Sequence, residues 1–264
     1  MNFAFKDARC ALPEAKRKTT ILILSVVFFF VSFLAAMPEI LAQRKFSKTF
    51  PATKNVRLEL TNRTGTVEVQ GWDKDVIQIS AYLEEPAAVI IPQNLSGKIL
   101  INVVKDNQDR GEVGSCNFII KVPYSSWVSI ETRIGNLIIN NVRGELVRAH
   151  VTAEGDITLT NIFANSVAAE NVIGNILFDG EIQEGGSYRF TSVSGAINLR
   201  IPFTSSFKMV ATAPSTRSID LGDFSGNGDF SRVGDGRRVV GRLNGGSATL
   251  TVTNMRGTIS FIRR

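Results

Sequence analysis

Apolar and polar residues alternate along most of the chain, and the alternation restarts after a set of regularly placed glycines. The residues two and four positions after each of these glycines are all apolar, whereas most residues between them are polar. Alternation with a period of two is typical of a β-strand that buries one face. The glycines at the common origin are Gly65, Gly135, Gly155, Gly174, Gly195 and Gly257.

Each of these glycines follows a polar bend. A small hydrogen-bonding side chain stands three residues before the glycine, and the alternation resumes further back. Such side chains tie a bend to its own backbone, and glycine suits a bend that needs a positive φ or a close backbone approach. The repeated unit is therefore strand, polar bend, glycine, strand. The polar residues are Asn62, Thr132, Thr152, Asn171, Ser192 and Asn254.

The spacing of the glycines predicts stacked repeats. The four central glycines are 20, 19 and 21 residues apart, and a degenerate copy with Ile219 and Leu221 precedes the last glycine. Two short strands cannot fold alone, so the copies must stack to bury a common core. This predicts an all-β fold, a β-solenoid or β-roll of two-strand repeats of about 20 residues. The apolar positions would form inward ladders, with Phe178 between Leu159 and Leu199.

The two ends of the repeat region have a different pattern. Residues 73–125 contain longer strands separated by polar turns, which predicts an antiparallel cap over the first end of the stack. Residues 222–247 are rich in glycine, and we interpret them as a flexible loop or an irregular hairpin.

An apolar run near the N-terminus predicts export. The basic residues 16–18 precede the apolar residues 21–37, as in a signal peptide or a membrane-spanning helix. Two alternatives remain: cleavage after Ala42, or retention of a hydrophobic helix as a membrane anchor. The chain is thus divided into residues 1–42 and a β-repeat domain over residues 43–264, which both alternatives place outside the cytoplasm.

Four consecutive segments resemble the putative-adhesin β-strand-repeat family of bacterial envelope proteins. They are Phe118–Pro123, Val128–Thr132, Ile134–Leu137 and Val142–Gly144. The likeness covers about residues 50–264 and includes an Asn or Asp after three of the central glycines. The resemblance implies a right-handed β-solenoid or a related β-roll, an exported location and no established enzymatic activity, and it supplies no catalytic residues.

Composition excludes several kinds of chemistry. The formal net charge is +6, of which residues 1–42 carry +2, and the remaining +4 is too weak to indicate nucleic-acid binding. The single histidine, His150, excludes metal motifs that need two, and Cys10 and Cys116 provide neither a disulfide framework nor a cysteine zinc site. We interpret His150 as a partly buried structural residue, with Ala149 and Val151 facing inward in its place.

Three groups of charged residues could form a catalytic, calcium-binding or anion-binding site, or could have a purely structural role. A carbohydrate-active site would need clustered carboxylates at successive bends. A calcium-binding β-roll would need tandem Gly-Asp motifs, and residues 220–236 contain only one partial motif. The basic group would either be solvated or contact an anionic wall polymer or lipid. We predict no catalytic, cofactor-binding or metal-binding residue among them. The groups are Glu154, Asp156 and Asp179; Asp220, Asp223, Asp229 and Asp235; and Arg237, Arg238, Arg242, Arg263 and Arg264.

These patterns predict a non-enzymatic, exported cell-envelope protein, an adhesin-like β-solenoid that binds or scaffolds. Its partner would be an envelope component, namely a cell-wall polymer, a polysaccharide or a membrane protein, and self-association of the stack stays open. One alternative is an envelope-stress accessory or sensor module anchored through residues 21–37. A less favoured alternative is a carbohydrate-active β-helix enzyme, which would show a groove lined by carboxylates.

Overall fold

The computed structural model describes residues 44–53 and 55–264. The predicted hydrophobic helix over residues 21–37 and the cleavage after Ala42 lie outside the described residues. Within the described ranges, no helix has the length and apolar character needed to cross a membrane.

The described chain forms two β-sheets, with strands numbered in chain order. Sheet A has the hydrogen-bonded order β1 (Arg44–Pro51), β4 (Val76–Leu83), β7 (Cys116–Pro123), β3 (Val67–Trp72), β9 (Leu137–Asn140), β11 (Ile157–Ile162), β13 (Ile176–Gly180), β15 (Ile197–Ile201), β21 (Ile259–Arg263) and β17 (Ile219–Asp220). Sheet B has the order β18 (Asp229–Val233), β19 (Arg238–Leu243), β16 (Phe207–Thr212), β20 (Ala248–Asn254), β14 (Ser187–Ser194), β12 (Ser166–Ile173), β10 (Leu146–Glu154), β8 (Trp127–Ile134), β2 (Arg57–Thr64), β6 (Lys98–Asn102) and β5 (Gln93–Asn94). A short helix, α1 (Val103–Asp106), follows β6, and a 3-10 helix spans Gly222–Gly226.

The predicted two-strand repeat is confirmed. Each repeat glycine joins a strand of sheet B to the next strand of sheet A, and equivalent strands of successive copies pair in parallel. Phe178 pairs with Leu159 on one side and with Leu199 on the other, and all three side chains are fully buried. The apolar ladders therefore form one continuous core between the two sheets.

The ends of the stack differ from the sequence prediction. Strands β6 and β7, expected to lie in an antiparallel cap, instead pair in parallel with β2 and β3 and form an additional coil. Their alternating apolar residues, such as Ile101 and Phe118, extend the two buried ladders, which explains the parallel arrangement. Antiparallel capping is confirmed for β4, which pairs with β7. Strand β1, outside the predicted cap residues 73–125, also pairs antiparallel, with β4.

A similar arrangement occurs at the other end. Strands β16 and β17 pair in parallel with β20 and β21, so the degenerate copy at Ile219 lies beyond the last glycine copy and not before it. Residues 222–247 contain the 3-10 helix and the antiparallel pair β18–β19, which confirms the hairpin interpretation of this segment.

One copy contains a β-bulge that shifts the bend by one residue. Pairing is irregular between Val151 and Glu154, and Val151 occupies the inward position held by Asn171 in the next coil. Thr152, expected to be the polar bend residue of this copy, is exposed, because the bulge adds one residue before the glycine. The same shift turns Ala149 inward and leaves His150 on the outer face, as expected.

The Asn or Asp after the central glycines links successive coils. The Asn136 Oδ1 atom accepts a hydrogen bond from the Asp156 backbone N–H at 2.9 Å, and the Asp156 Oδ1 atom accepts one from the Asn175 N–H at 2.6 Å. The Asn175 Oδ1 atom in turn accepts the Ala196 N–H at 2.9 Å. These side chains therefore satisfy backbone donors along the edge where the glycines lie, which we call the glycine corner.

Candidate functional site

The carboxylates singled out in the sequence do not all come together. Asp156 lies at the glycine corner beside Glu154, whereas Asp179 pairs with Thr160 near the far end of its strand. The register places Asp179 four residues along the strand from Asp156, which is about 13 Å. Catalytic carboxylate pairs in glycosidases are about 5–10 Å apart. The structure thus separates two of the candidates and gives them different surroundings.

Asp179 belongs to a cluster of ion pairs. Its Oδ2 atom lies 3.2 Å from the Arg200 Nη1 atom, and its Oδ1 atom lies 3.2 Å from the Arg264 Nε atom. Arg264 also donates a hydrogen bond to the Asn161 Oδ1 atom at 3.0 Å, and its Nη1 atom lies 3.9 Å from Glu181. Two guanidinium groups neutralise the Asp179 carboxylate, so we interpret it as a structural residue that fastens the C-terminus to the stack.

His150 lies on the outer face of sheet B between two glutamates of neighbouring strands. It pairs in register with Glu131 and Glu170, and its Nδ1 atom is 3.5 Å from the Glu131 Oε2 atom. Among residues 44–53 and 55–264, no three His, Cys, Asp or Glu side chains are arranged to hold a metal ion. His150 is therefore a partly exposed side chain beside Glu131 on this face.

The buried thiol and the acidic loop offer no reactive group either. Burial, assisted by the negative charge of Glu84, raises the pKa of Cys116 to about 11, so the thiol stays protonated at neutral pH. The four loop aspartates are distributed over separate local structures. Asp220 lies in β17, Asp223 in the 3-10 helix, Asp229 in β18 and Asp235 in the following turn.

The basic residues near the C-terminus are partly occupied. Arg263 lies over the Phe203 ring, 4.7 Å from its centroid, while Arg264 is held by the ion pairs described above. Arg237, Arg238 and Arg242 are exposed on the hairpin of β18 and β19 or in its turn. We interpret these three residues as a solvated basic face.

A cleft that the sequence analysis missed lies at the N-terminal end of the glycine corner. Its volume is about 570 Å³, and three arginines, Arg63, Arg110 and Arg133, line it. We call it the arginine cleft. The other lining residues are Val103, Val104, Asn107, Gln108, Gly111 and Glu112.

Two local structures bring the three arginines together. Arg63 and Arg133 occupy the same position, two residues before the glycine, in coils whose strands β2 and β8 pair directly. Their backbones are therefore about 4.8 Å apart. Arg110 comes from the turn after α1, and its Nη1 atom donates a hydrogen bond to the Ala87 carbonyl at 3.0 Å. The turn thus carries a third guanidinium over the end of the stack.

The electrostatics of the arginine cleft favour an anion. Three arginines and one acidic residue, Glu112, line it. Within the described part of the chain, none of the three arginines forms an ion pair with a carboxylate. Guanidinium groups carry planar sets of donors that match phosphate and carboxylate oxygens, and a bound anion would relieve the repulsion between them.

Asn107 holds the turn that carries Arg110. The Asn107 side chain is buried, and its Oδ1 atom accepts the Val89 N–H at 2.8 Å. Its Nδ2 group donates to the carbonyls of Val89 and Val103, both at 2.8 Å. The Arg110 N–H donates to the Asn107 carbonyl at 3.1 Å. The Asn107 side chain therefore joins the loop before β5 to α1, and its backbone carbonyl holds the turn that carries Arg110.

Replacing Asn107 with leucine is expected to lower the free energy of unfolding by about 1–3 kcal/mol, because polar groups of Val89 and Val103 lose their partners. Urea unfolding followed by circular dichroism measures the change. The neighbouring Gln108 is exposed, and Gln108→Leu should change stability by less than about 0.5 kcal/mol. Similar losses for both variants would contradict the anchoring role of Asn107.

Comparisons with solved structures support the architecture. A putative cell adhesion protein from Clostridium sporogenes is 12% identical, with a TM-score of 0.53, and the match covers 84% of this chain and 100% of that one. At this identity the likeness shows the fold alone. Weaker matches are a putative adhesin from Bacteroides fragilis (10% identity, 85% and 99% coverage, TM-score 0.29) and a putative lipid binding protein from Parabacteroides distasonis (9%, 83% and 97%, TM-score 0.33).

Sequence comparison identifies the family. No curated protein sequence matches the chain. The family model described as Toastrack DUF4097 matches residues 51–261, which include all of the glycine repeats and the arginine cleft. This confirms the resemblance to the putative-adhesin family. The chain belongs to the Toastrack DUF4097 family.

Proposed function

We propose that the protein is a non-enzymatic, exported binding module of the cell envelope, and that the arginine cleft holds an anionic group of its partner. The observation that carries this proposal is the convergence of Arg63, Arg110 and Arg133 in one cleft without a carboxylate partner among the described residues. Three cations without a carboxylate partner in the described ranges are available to a ligand.

The support for a binding role comes from the rigidity of the surroundings. Arg63 and Arg133 extend from paired strands of a continuous core, and Asn107 fixes the turn that carries Arg110. Side chains held by strands and by buried hydrogen bonds bind with a small loss of conformational entropy. A phosphate or carboxylate group of a wall polymer, a polysaccharide or a lipid has the charge that such a cleft favours.

Export and a non-enzymatic role are supported by different features of the chain. Export rests on the basic residues 16–18 and the apolar residues 21–37, whether that segment is cleaved or retained. A non-enzymatic role rests on the separation of Asp156 from Asp179 and on the neutralisation of Asp179 by two arginines. The carbohydrate-active alternative gains no support from this geometry.

The test uses residues 44–264. Their buried apolar residues form one continuous core, and the likeness to the Clostridium sporogenes protein covers the whole of that chain. Ethyl phosphate is the probe, and NMR titration measures its affinity. We expect the double variant Arg63→Gln/Arg133→Gln to bind at least tenfold more weakly, since two of the three cations are lost.

The matched control is Arg237→Gln/Arg238→Gln, which removes the same charge from the hairpin at the other end of the stack. Its affinity should stay within twofold of the parent protein, and raising the salt concentration should weaken binding by the parent protein. Equal affinities for the two double variants, or no binding by the parent protein, would show that the cleft is not an anion site.

A further inference from the structure

The row of positions that supplies two arginines to the cleft becomes apolar along the stack. Arg63 and Arg133 lie two residues before the glycine in the first two glycine copies. The same position is Val172 in β12, Val193 in β14 and Met255 directly after β20. The pairing of the residues just before them keeps this row in register from coil to coil. One edge of the molecule therefore runs from basic to apolar.

The apolar part of this row is exposed. Val172, Val193 and Met255 have exposed fractions of 36%, 37% and 42%, and Ile173 beside them has 51%. We call these four residues the corner stripe. They belong to three adjacent parallel strands or their ends, so neighbouring members are about 4.8 Å apart and form one surface. An exposed contiguous apolar surface usually marks a contact with a partner or a lipid.

The bulge in β10 lies between the arginines and the corner stripe. It presents Thr152 as an exposed residue and Ala153 as a half-buried one opposite Val172. From Arg133 to Met255 the row spans four coil steps, which is about 19 Å. This length accommodates an extended alkyl chain whose charged end lies among the arginines.

We propose that the ligand of the arginine cleft is an anionic membrane lipid, with its phosphate in the cleft and one acyl chain along the corner stripe. This inference rests on the proposed anion site and adds the second half of the ligand. Charge complementarity fixes the direction, because Arg63, Arg110 and Arg133 bind the headgroup and the corner stripe continues the same row with apolar side chains. Burying the chain against the stripe removes apolar surface of both partners from water.

The test compares ethyl, hexyl and decyl phosphate at concentrations below micelle formation, again with residues 44–264. All three probes share one headgroup, so only the length of the chain changes. We expect the parent protein to bind decyl phosphate at least tenfold more tightly than ethyl phosphate. The variant Val193→Ser/Met255→Ser should lose most of this gain and should bind ethyl phosphate within twofold of the parent protein.

Val233→Ser is the matched control, since Val233 is 49% exposed on β18, in the hairpin at the C-terminal end. It should retain the full gain with chain length. Circular dichroism melting of each variant checks that these surface substitutions leave the fold intact. Persistence of the gain in Val193→Ser/Met255→Ser would overturn the stripe as the chain site.

The two proposals fail in different ways. If ethyl phosphate binds and depends on Arg63 and Arg133, but chain length has no effect, the lipid proposal is wrong and the anion site stands. If none of the alkyl phosphates binds, both proposals are wrong. Equal binding of decyl phosphate and decyl phosphocholine would also overturn the lipid proposal, because the cleft would then not select an anionic headgroup.

Discussion

Replacing Phe178 with alanine is expected to lower the free energy of unfolding by about 3–5 kcal/mol, because the substitution leaves a cavity in the middle of the core. The Phe178 ring is fully buried between Leu159 and Leu199 of the neighbouring coils. Its centroid is also 5.1 Å from that of Phe190 and 6.1 Å from that of Tyr188 on the opposite sheet. Few neighbours can move to fill the space, since each is itself packed in a ladder of the continuous core.

Urea unfolding of residues 44–264 measures this loss, and Thr158→Ala supplies the control. Thr158 lies on the adjacent strand and faces outward, and its backbone pairs with Leu177. We expect a loss of less than about 1 kcal/mol for Thr158→Ala, because no buried apolar contact disappears. Small and equal losses for the two variants would show that the register of these strands or the solenoid itself is wrong.

The inward ladders were predictable because two local signals fix them together. A period of two determines which residues share a face, and the glycine fixes where one strand ends and the next begins. From these signals alone, Ile157 and Leu159 are assigned to the core and Thr158 to the surface, as the structure shows. The right-handed sense of the coils stays a prediction, since it came from the family resemblance.

The order of the coils at the two ends was not predictable from the same signals. Strand β6 follows β2 in the chain but lies nearer than β2 to the N-terminal end of the stack. Strand β16 precedes β20 in the chain but lies nearer than β20 to the opposite end. An alternating strand such as Lys98–Asn102 fits any open edge that continues the ladders, so the local pattern does not select its neighbour. The bulge at Val151 escaped prediction for a related reason, because one extra residue leaves the alternation on each side intact.

The arginine cleft depends on that unpredictable order. Arg63, Arg110 and Arg133 are far apart in the chain, and the turn after α1 reaches them only because β6 lies beside β2. A signal for part of the site was nevertheless present. Arginine occupies the position two residues before the glycine in the first two copies, where later copies have Val172 and Val193. The outward positions therefore carry a pattern of their own along the repeats, from basic to apolar, beside that of the inward ladders.

Replacing Gly174 with alanine should be at least as damaging as the loss of the Phe178 ring, with an expected destabilisation of about 4 kcal/mol or more. Gly174 has a φ of 131°, and a Cβ atom there would lie 2.3 Å from the Gly155 carbonyl oxygen of the preceding coil. The obstacle is backbone, so the coils themselves would have to separate. Separation would also stretch the 2.9 Å hydrogen bond from the Gly155 N–H to the Ile173 carbonyl, which joins the same two coils.

Gly185→Ala isolates the contribution of the backbone dihedral from that of the close approach. Gly185 also has a positive φ, of 70°, but nothing lies within 4 Å of a Cβ atom built on it. Its replacement should therefore cost only about 1–2 kcal/mol, the usual penalty for an L-residue in the left-handed region. Urea unfolding of both variants provides the comparison. A loss for Gly174→Ala no larger than that for Gly185→Ala would mean that the coils are not packed backbone to backbone at the glycine corner, and that positive φ alone accounts for the repeat glycines.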